Sequence, residues 1–327
     1  RRRGIRRAFR QIKGLHFQES SSPTLAQFSI RMALALMALV DWEGRQLDVE
    51  MAYLEADVEE EVYIELPDGY PESRNQVGLL RKAMYGLVNA RFLWSKKFGG
   101  EVEAKGFERS QVEPCVFRRR SQRKMVVIIG IFVDELLLLS ATKQDEQQAL
   151  EDLRSSFPTE DLGEDSYYLG CHITRNRKAR TVTFDQRRYA FDTKKTSIIH
   201  ASPGVAPLSK EDGQQTDAAI SEMRDTPYQE AMKALMWIAT MTRPDLSFVA
   251  HNVAKFGDNS RPAHWKAVQK ALLQYLKRTV DLGVTYGGGT TDMKLSAWVG
   301  PDYATCPDTR RSVSGAAVML GGGAINW

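Results

Sequence analysis

Residues 126–140 restrict the possible folds more than any other part of the chain. Their letters, VVIIGIFVDELLLLS, form two apolar runs separated by Asp134 and Glu135. Each run suits a buried strand and is far shorter than the roughly 20 residues of a membrane-spanning helix. A separation of two residues predicts a tight antiparallel hairpin with both carboxylates at its tip. Because adjacent like charges repel unless a cation accompanies them, the tip is either a metal site or a solvated acidic turn.

Asp48 is a second candidate for a metal ligand. It lies between Leu47 and Val49 in the strand-like run QLDVEMAYL. A magnesium site needs oxygen ligands from separate segments that converge within a few ångströms. Asp48 and Asp134 would supply such a pair if their strands meet, which the residues alone leave open.

The charge distribution points to a polyanionic partner. The net charge of +4 comes from 45 basic and 41 acidic residues. Residues 1–13 carry seven basic groups and no acidic one, whereas residues 41–65 carry ten acidic groups against Arg45 alone. A basic arm, an acidic segment and a mildly basic remainder favour a polyanionic partner near a carboxylate cluster, with solvated charged faces as the alternative. The three cysteines are widely spaced and predict neither a disulfide framework nor a zinc site.

Helix-like and strand-like segments alternate irregularly, so the predicted fold class is α+β with antiparallel strands. Apolar spacing predicts helices after the loop at residues 20–23 and over residues 145–157, 228–242 and 264–277. Residues 200–227 are rich in Pro, Gly, Ser and Asp and predict a linker. No membrane crossing is expected, and both termini are expected to be cuts through a longer polypeptide.

Eight ordered segments carry a resemblance to a known family. They are LDVEMAYLEADVEEEVYIELPDGY, MYGLVNARFLW, GFERSQVEPCVF, FVDELLLLS, DLGEDSYYLG, residues 235–245, HWKAVQKALLQYLKRTVDLGVTY and TRRSVSGAAVMLGG. Together they resemble the reverse transcriptase of copia-type LTR retrotransposon Pol polyproteins, with the beginning of the ribonuclease H region. The resemblance implies a right-hand polymerase with fingers, palm and thumb. It divides the chain into fingers and palm (1–174), thumb and linker (175–227), a helical connection (228–288) and a truncated ribonuclease H-like strand region (289–327).

The resemblance also implies a catalytic centre. Asp48, Asp134 and the carbonyl of Val49 would bind two Mg²⁺ ions, for which Mn²⁺ could substitute, with Glu135 as the neighbouring catalytic carboxylate. Such a centre performs two-metal nucleotidyl transfer, in which the protein positions the reactants and neutralises charge.

Further residues are assigned to substrate binding by the same resemblance. The nucleotide would contact Arg1, Arg3, Tyr53 and Asn89. The primer and template would contact Leu169, Gly170, Gln186 and Tyr189. The implied partners are an RNA template, a DNA primer, deoxynucleoside triphosphates and the other modules of a Pol polyprotein, and the implied location is cytoplasmic element particles, with the nucleus as an alternative.

The sequence departs from the family pattern at functional positions. Glu135 replaces the second Asp of the hairpin, Asn89 replaces a Gln and Arg91 replaces a Pro. In the ribonuclease H region Gly300 stands in place of the first catalytic Asp, and Asp302 is the acidic residue that remains. Pro301 follows Gly300 inside a predicted strand, where proline is poorly tolerated. We therefore predict reduced or absent polymerase activity and no ribonuclease H activity, and the alternative is a catalytically dead remnant that only binds nucleic acid.

Overall fold

A computed structural model of the chain describes residues 11–66, 69, 76–164, 167–192, 207–212, 216–269, 275–289 and 292–327. The chain forms two compact units. The first comprises Arg1–Ile30 and Trp42–Glu164, and the second comprises Arg31–Asp41 and Asp165–Trp327. The finer division into four segments stays a prediction.

The first unit is built on a six-stranded antiparallel sheet with the order β4-β5-β6-β7-β1-β8. Its strands are β1 (Glu43–Val49), β4 (Glu108–Arg109), β5 (Val116–Ser121), β6 (Lys124–Phe132), β7 (Glu135–Ser140) and β8 (Thr159–Gly163). A separate hairpin joins β2 (Tyr63–Glu65) to β3 (Val77–Leu79). The helices are α2 (Ala52–Glu55), α3 (Ala90–Ala104) and α4 (Lys143–Ser156), and α1 (Gln27–Val40) begins in this unit. Helices with antiparallel sheets agree with the predicted α+β class.

Aromatic side chains fill the core of the first unit. Trp94 and Phe98 on α3 pack against Phe157, with ring centroids 5.1 and 5.5 Å away. Phe98 also meets Phe117 of β5 edge-on at 5.6 Å. All four rings are buried, and edge-on or offset contacts of this kind add to the stabilisation that burial provides. This core fixes α3 on the sheet.

Local sequence signals define α4. Thr142 caps the helix by accepting a hydrogen bond from the Asp145 backbone N–H at 3.1 Å. Acidic residues occupy the first turn and Arg154 occupies the last, as the helix dipole favours. The helix packs on β6 and β7 through buried residues such as Leu150 and Leu153. The predicted helix over residues 145–157 is therefore confirmed.

The second unit contains two sheets and a helical cluster. Its four-stranded sheet has the order β12-β11-β10-β9, from β9 (Tyr167–Tyr168), β10 (Cys171–Asn176), β11 (Thr181–Asp185) and β12 (Val284–Gly287). Its three-stranded sheet comprises β13 (Ser296–Pro301), β14 (Ser314–Leu320) and β15 (Gly323–Asn326). The helices are α5 (Arg187–Asp192), α6 (Asp217–Arg224), α7 (Tyr228–Met241), α8 (Ser247–Ala254) and α9 (Pro262–Gln269), with a 3-10 turn at Pro244–Leu246.

Two features of the second unit correct the sequence interpretation. The predicted linker at residues 200–227 contains helix α6, while residues 200–206 and 213–215 lie outside the described residues. Pro301 is accommodated in β13, because it is the last residue of a strand that pairs on one side only, with β14.

In the first unit, the strand-like run QLDVEMAYL ends as a strand at Val49, and α2 begins at Ala52.

No helix among the described residues has the length and apolar character needed to cross a bilayer.

Candidate active site

The hairpin of β6 and β7 turns one residue earlier than its sequence predicted. Phe132 pairs with Glu135, so the two turn residues are Val133 and Asp134, and Glu135 is the first residue of β7. The prediction of a tip formed by Asp134 and Glu135 was therefore wrong. Glu135 is drawn into the strand because β7 pairs on both sides, with Phe132 of β6 and with Asp48 of β1.

The turn has a strained backbone that two hydrogen bonds hold in place. Val133 has a φ of 60°, in the left-handed region that costs a branched residue roughly 1–2 kcal/mol. The indole Nε1–H of Trp94 donates to the Val133 carbonyl at 2.5 Å. The backbone N–H of Val49 donates to the Asp134 carbonyl at 2.9 Å. The second bond ties the hairpin tip to the strand end that carries Asp48.

Three acidic residues form a row across neighbouring strands. Asp48 on β1 lies directly opposite Glu135 on β7 and directly opposite Glu160 on β8. Directly opposite residues of antiparallel strands project from the same face of a sheet, with Cβ atoms about 5 Å apart. The structure thus places Asp48 and Glu135 together, with Asp134 in the turn that bonds to Val49.

Burial and neighbouring negative charges act on the carboxyl group of Asp48. Burial raises the pKa of the Asp48 carboxyl above its ordinary value of 3.8. Neighbouring carboxylates raise that pKa further, and they are Asp134, Glu160 and Glu50. The carboxylate of Asp48 therefore lies in a field that favours a cation.

Sequence reasoning did not identify Glu160. It lies in the run FPTEDLG, more than a hundred residues from Asp48, and nothing in that run distinguishes it from a solvated glutamate. Only the pairing of β8 with β1 brings it to the row. Trp94 was also missed, because its helical spacing among apolar residues indicates a core residue and gives no sign of its bond to Val133.

The residues of the site fit a hard divalent cation. Among the described residues, no group of three or more His, Cys, Asp or Glu side chains is arranged to enclose a metal ion. Magnesium does not require such enclosure, because it is commonly bound by one or two carboxylates and keeps several water ligands. Asp48 and Asp134 supply oxygen donors. Burial and, after it, repulsion from neighbouring carboxylates raise the pKa of Asp48, and a bound cation would relieve the repulsion.

Comparison with known proteins identifies the family. Residues 1–210 match the family described as reverse transcriptase (RNA-dependent DNA polymerase). The chain is 33% identical over 330 residues to a retrovirus-related Pol polyprotein from transposon TNT 1-94 of Nicotiana tabacum, covering 98% of this chain and 25% of that protein. The chain belongs to the reverse transcriptase family of copia-type Pol polyproteins. It is also 29% identical to a retrovirus-related Pol polyprotein from transposon RE1 of Arabidopsis thaliana, over 99% of this chain and 22% of that protein. It thus spans about a quarter of the length of these relatives.

Reverse transcriptases depend in general on divalent metal ions. Two of the predicted nucleotide-binding residues, Tyr53 and Asn89, lie in the same unit as the acidic row. Tyr53 on α2 is buried, with its ring 4.6 Å from the ring of Tyr85. Asn89, which precedes α3, is buried, and its Oδ1 atom has no hydrogen-bond partner within the described part of the chain. Arg1 and Arg3 lie outside the described residues. The nucleotide contacts of these four residues stay predictions.

The predicted primer-binding residues of the reverse transcriptase lie in the second unit. Leu169 and Gly170 form the turn between β9 and β10, with φ values of 52° and 74°. Gln186 is buried and accepts a hydrogen bond from the Thr242 hydroxyl at 2.8 Å, so its side chain supports the interior of this unit. Tyr189 packs against the helical cluster. Contact of these residues with a primer stays a prediction.

Asp302 follows β13, in the region that the sequence predicts to be ribonuclease H-like. Its carboxylate accepts hydrogen bonds from the Thr305 hydroxyl and from the Val313 backbone N–H, the latter at 2.6 Å. These bonds lower the pKa of Asp302. Gly300, which stands in place of the expected catalytic Asp, pairs with Gly315 in the sheet and has no side chain that could bind a metal. The absence of ribonuclease H activity stays a prediction.

Proposed function

We propose that this domain extends a DNA primer on an RNA or DNA template by nucleotidyl transfer at Asp48 and Asp134, at a reduced rate. The observation that carries the proposal is the 2.9 Å hydrogen bond from the Val49 N–H to the Asp134 carbonyl. It joins the strand end that bears Asp48 to the turn that bears Asp134. The reverse transcriptase match over residues 1–210 supports the reaction class.

The proposed metal ligands are the carboxylates of Asp48 and Asp134 and the carbonyl of Val49, which would hold two Mg²⁺ ions or Mn²⁺ in their place. When bound, such ions activate the primer hydroxyl and neutralise charge on the departing pyrophosphate. The chain itself contributes orientation. Asp48 is held by strand pairing on both sides, and the Asp134 backbone is held by its bond to Val49. Rigid placement of this kind accounts for a large part of catalysis in phosphoryl transfer.

The proposed reduction in rate follows from Glu135 and Asn89. Glu135 reaches the catalytic face from a strand position opposite Asp48, and its side chain is one methylene longer than aspartate. A displacement of about 1 Å at a reacting centre can reduce a rate about a hundredfold. Asn89 is buried, which limits its reach toward a nucleotide.

The proposed partners are template RNA, primer DNA, deoxynucleoside triphosphates and the other modules of a Pol polyprotein. Cytoplasmic element particles remain the predicted location.

Primer extension by the full chain on a homopolymeric RNA template tests the proposal. The Asp48→Asn and Asp134→Asn variants should each lose at least about a hundredfold in rate. Glu151→Gln is the matched control, because it removes one negative charge on α4, where Glu151 accepts a bond from Gln147. Its rate should equal that of the unaltered chain. Equal extension by Asp134→Asn and the unaltered chain would contradict the proposal.

The alternative function, nucleic-acid binding without catalysis, is favoured by the same two departures at Glu135 and Asn89. It predicts a salt-sensitive gel shift with primer-template, since salt cations compete with basic side chains for the phosphates and weaken binding. It also predicts no extension above background with either Mg²⁺ or Mn²⁺. A gel shift accompanied by metal-dependent extension would exclude this alternative.

A further inference from the structure

Trp94 makes a polar contact that its place in the aromatic core does not require. The side chain is 2% exposed, and its ring packs against Phe98 and Phe157. A buried indole N–H needs a hydrogen-bond acceptor, because leaving it unpaired is costly. Here the acceptor is the carbonyl of Val133, at 2.5 Å. The core of the unit is thereby connected to the turn that carries Asp134.

Packing alone does not fix this turn. A cavity of about 20 Å³ lies beside it, lined in part by Trp94, Cys115, Ile131 and Val133. A space of this size accommodates about one water molecule, so the atoms around it lack close neighbours on one side. Val133 is also held in the left-handed region, at a φ of 60°, which it would leave if unrestrained. The conformation of the turn therefore depends on directed hydrogen bonds.

The two bonds to the turn come from two different elements of the unit. The Trp94 indole restrains Val133 from the helical side, and the Val49 N–H restrains Asp134 from strand β1. Loss of the first bond would let the Val133 backbone relax toward an ordinary φ. Because Asp134 is the next residue, such relaxation would lengthen its bond to Val49 and displace its carboxylate from Asp48.

We propose that Trp94 is a positioning residue, whose indole N–H holds the Val133–Asp134 turn in the conformation that presents Asp134 beside Asp48. The expected effect on metal binding rests on the proposed function. The expected effect on the conformation of the turn rests on the two hydrogen bonds alone. Trp94 does not touch substrate, and it acts through the backbone of the turn.

The test distinguishes the effect of the indole N–H group of Trp94 from the effect of its ring. In one variant the indole of Trp94 is replaced by its sulfur analogue, benzothiophene, which keeps the bicyclic ring and removes the donor. Trp94→Phe removes the donor and part of the ring. Phe98→Leu is the control, because it reduces packing in the same aromatic core and leaves the bond from Trp94 to Val133 intact.

Two readouts are taken on the full chain. Hydrogen exchange of the Val49 amide reports the bond to Asp134, and electron paramagnetic resonance reports the affinity for Mn²⁺. The benzothiophene and Phe variants should exchange the Val49 amide about tenfold faster and bind Mn²⁺ about tenfold more weakly than the unaltered chain. Phe98→Leu should leave both values unchanged under conditions in which the Val49 amide exchanges through local opening and not through global unfolding.

Unchanged Val49 exchange in the benzothiophene variant would overturn the inference, whatever the metal affinity. Failure of the unaltered chain to bind Mn²⁺ would instead count against the proposed function, and the exchange measurement would still decide the role of Trp94. Faster exchange in Phe98→Leu to the same extent would also overturn the inference, since general loosening of the core would then explain the effect.

Discussion

Val49 donates its backbone N–H to the carbonyl of Asp134 at 2.9 Å, and this bond joins the end of strand β1 to the tip of the β6–β7 hairpin. Asp48, the residue before Val49, is thereby fixed beside the turn. Asp48 at this strand end pairs with Glu135 and Glu160, so the hydrogen bond from Val49 to Asp134 lies beside several carboxylates. Repulsion among them is unfavourable for folding and favourable for binding a cation.

Asp48→Asn is predicted to stabilise the chain at neutral pH while abolishing primer extension. Burial and neighbouring carboxylates raise the pKa of Asp48 above 3.8, so ionisation of Asp48 opposes folding. This penalty is absent below the unfolded-state pKa and complete above the raised folded-state pKa. Urea unfolding should therefore show a gain for Asp48→Asn at pH 7 that shrinks as the pH falls toward 4. A less stable variant at pH 7 would contradict the electrostatic account.

Glu135→Asp is predicted to raise the rate of primer extension by about tenfold or more. The shorter side chain keeps the charge and the strand position opposite Asp48, and it withdraws the carboxylate by one methylene. The measurement is single-nucleotide extension under saturating nucleotide. Glu160→Asp makes the same change on the other side of Asp48 and should give no gain. Equal or lower rates for Glu135→Asp would show that Glu135 does not limit the reaction.

Val133→Gly is predicted to change the free energy of unfolding by less than about 1 kcal/mol, because relief of left-handed strain offsets the greater flexibility of glycine. The conformation concerned is the φ of 60° at Val133. Val127→Gly is the comparison, since Val127 is buried in β6, the strand that leads into the turn, and it should cost about 2–4 kcal/mol. Urea unfolding measures both changes. A similar large loss in Val133→Gly would mean that the turn is not strained.

Arg31→Met is predicted to destabilise the second unit by about 2–4 kcal/mol. Arg31 is buried, donates to the carbonyls of Ile325 and Thr240 at 2.8 and 2.6 Å, and stacks on the Trp327 ring. Burial lowers the pKa of Arg31 to about 10. Urea unfolding followed by tryptophan fluorescence measures the loss.

Arg154→Met is the control for this prediction. Arg154 is partly exposed and lies 3.5 Å from Asp161, so its loss should cost less than about 1 kcal/mol. Equal effects of the two substitutions would indicate that the buried contacts of Arg31 do not stabilise the unit.

The sequence predicted the fold where the signals are local. The apolar runs of β6 and β7, the capped helix α4 and the periodic helix α7 all form near their predicted positions. The turn between β6 and β7 was misplaced by one residue, because its position depends on the pairing of Glu135 with Asp48, which lies 87 residues earlier in the chain. Local turn preferences do not contain that information.

The sequence predicted only part of the candidate site, because long-range contacts bring the other residues to it. Asp48 and Asp134 were proposed as a pair, and the structure joins their segments through Val49. Glu160 and Trp94 were not identified from the sequence. The local sequence around Glu160 is that of an ordinary solvated glutamate, and the local sequence around Trp94 is that of an ordinary core tryptophan. Their roles arise from long-range contacts, strand β8 against β1 in one case and α3 against the hairpin in the other.

Carbon-detected NMR titration of the Asp48 carboxyl, without and with Mg²⁺, tests the central claim that Asp48 and Asp134 form one cation-binding centre. The account predicts a pKa above 3.8 in the unaltered chain, a lower pKa on addition of Mg²⁺, and a smaller Mg²⁺ effect in Asp134→Asn. Glu151→Gln should titrate like the unaltered chain. An Asp48 carboxyl that titrates at its ordinary value and does not respond to Mg²⁺ would contradict the account.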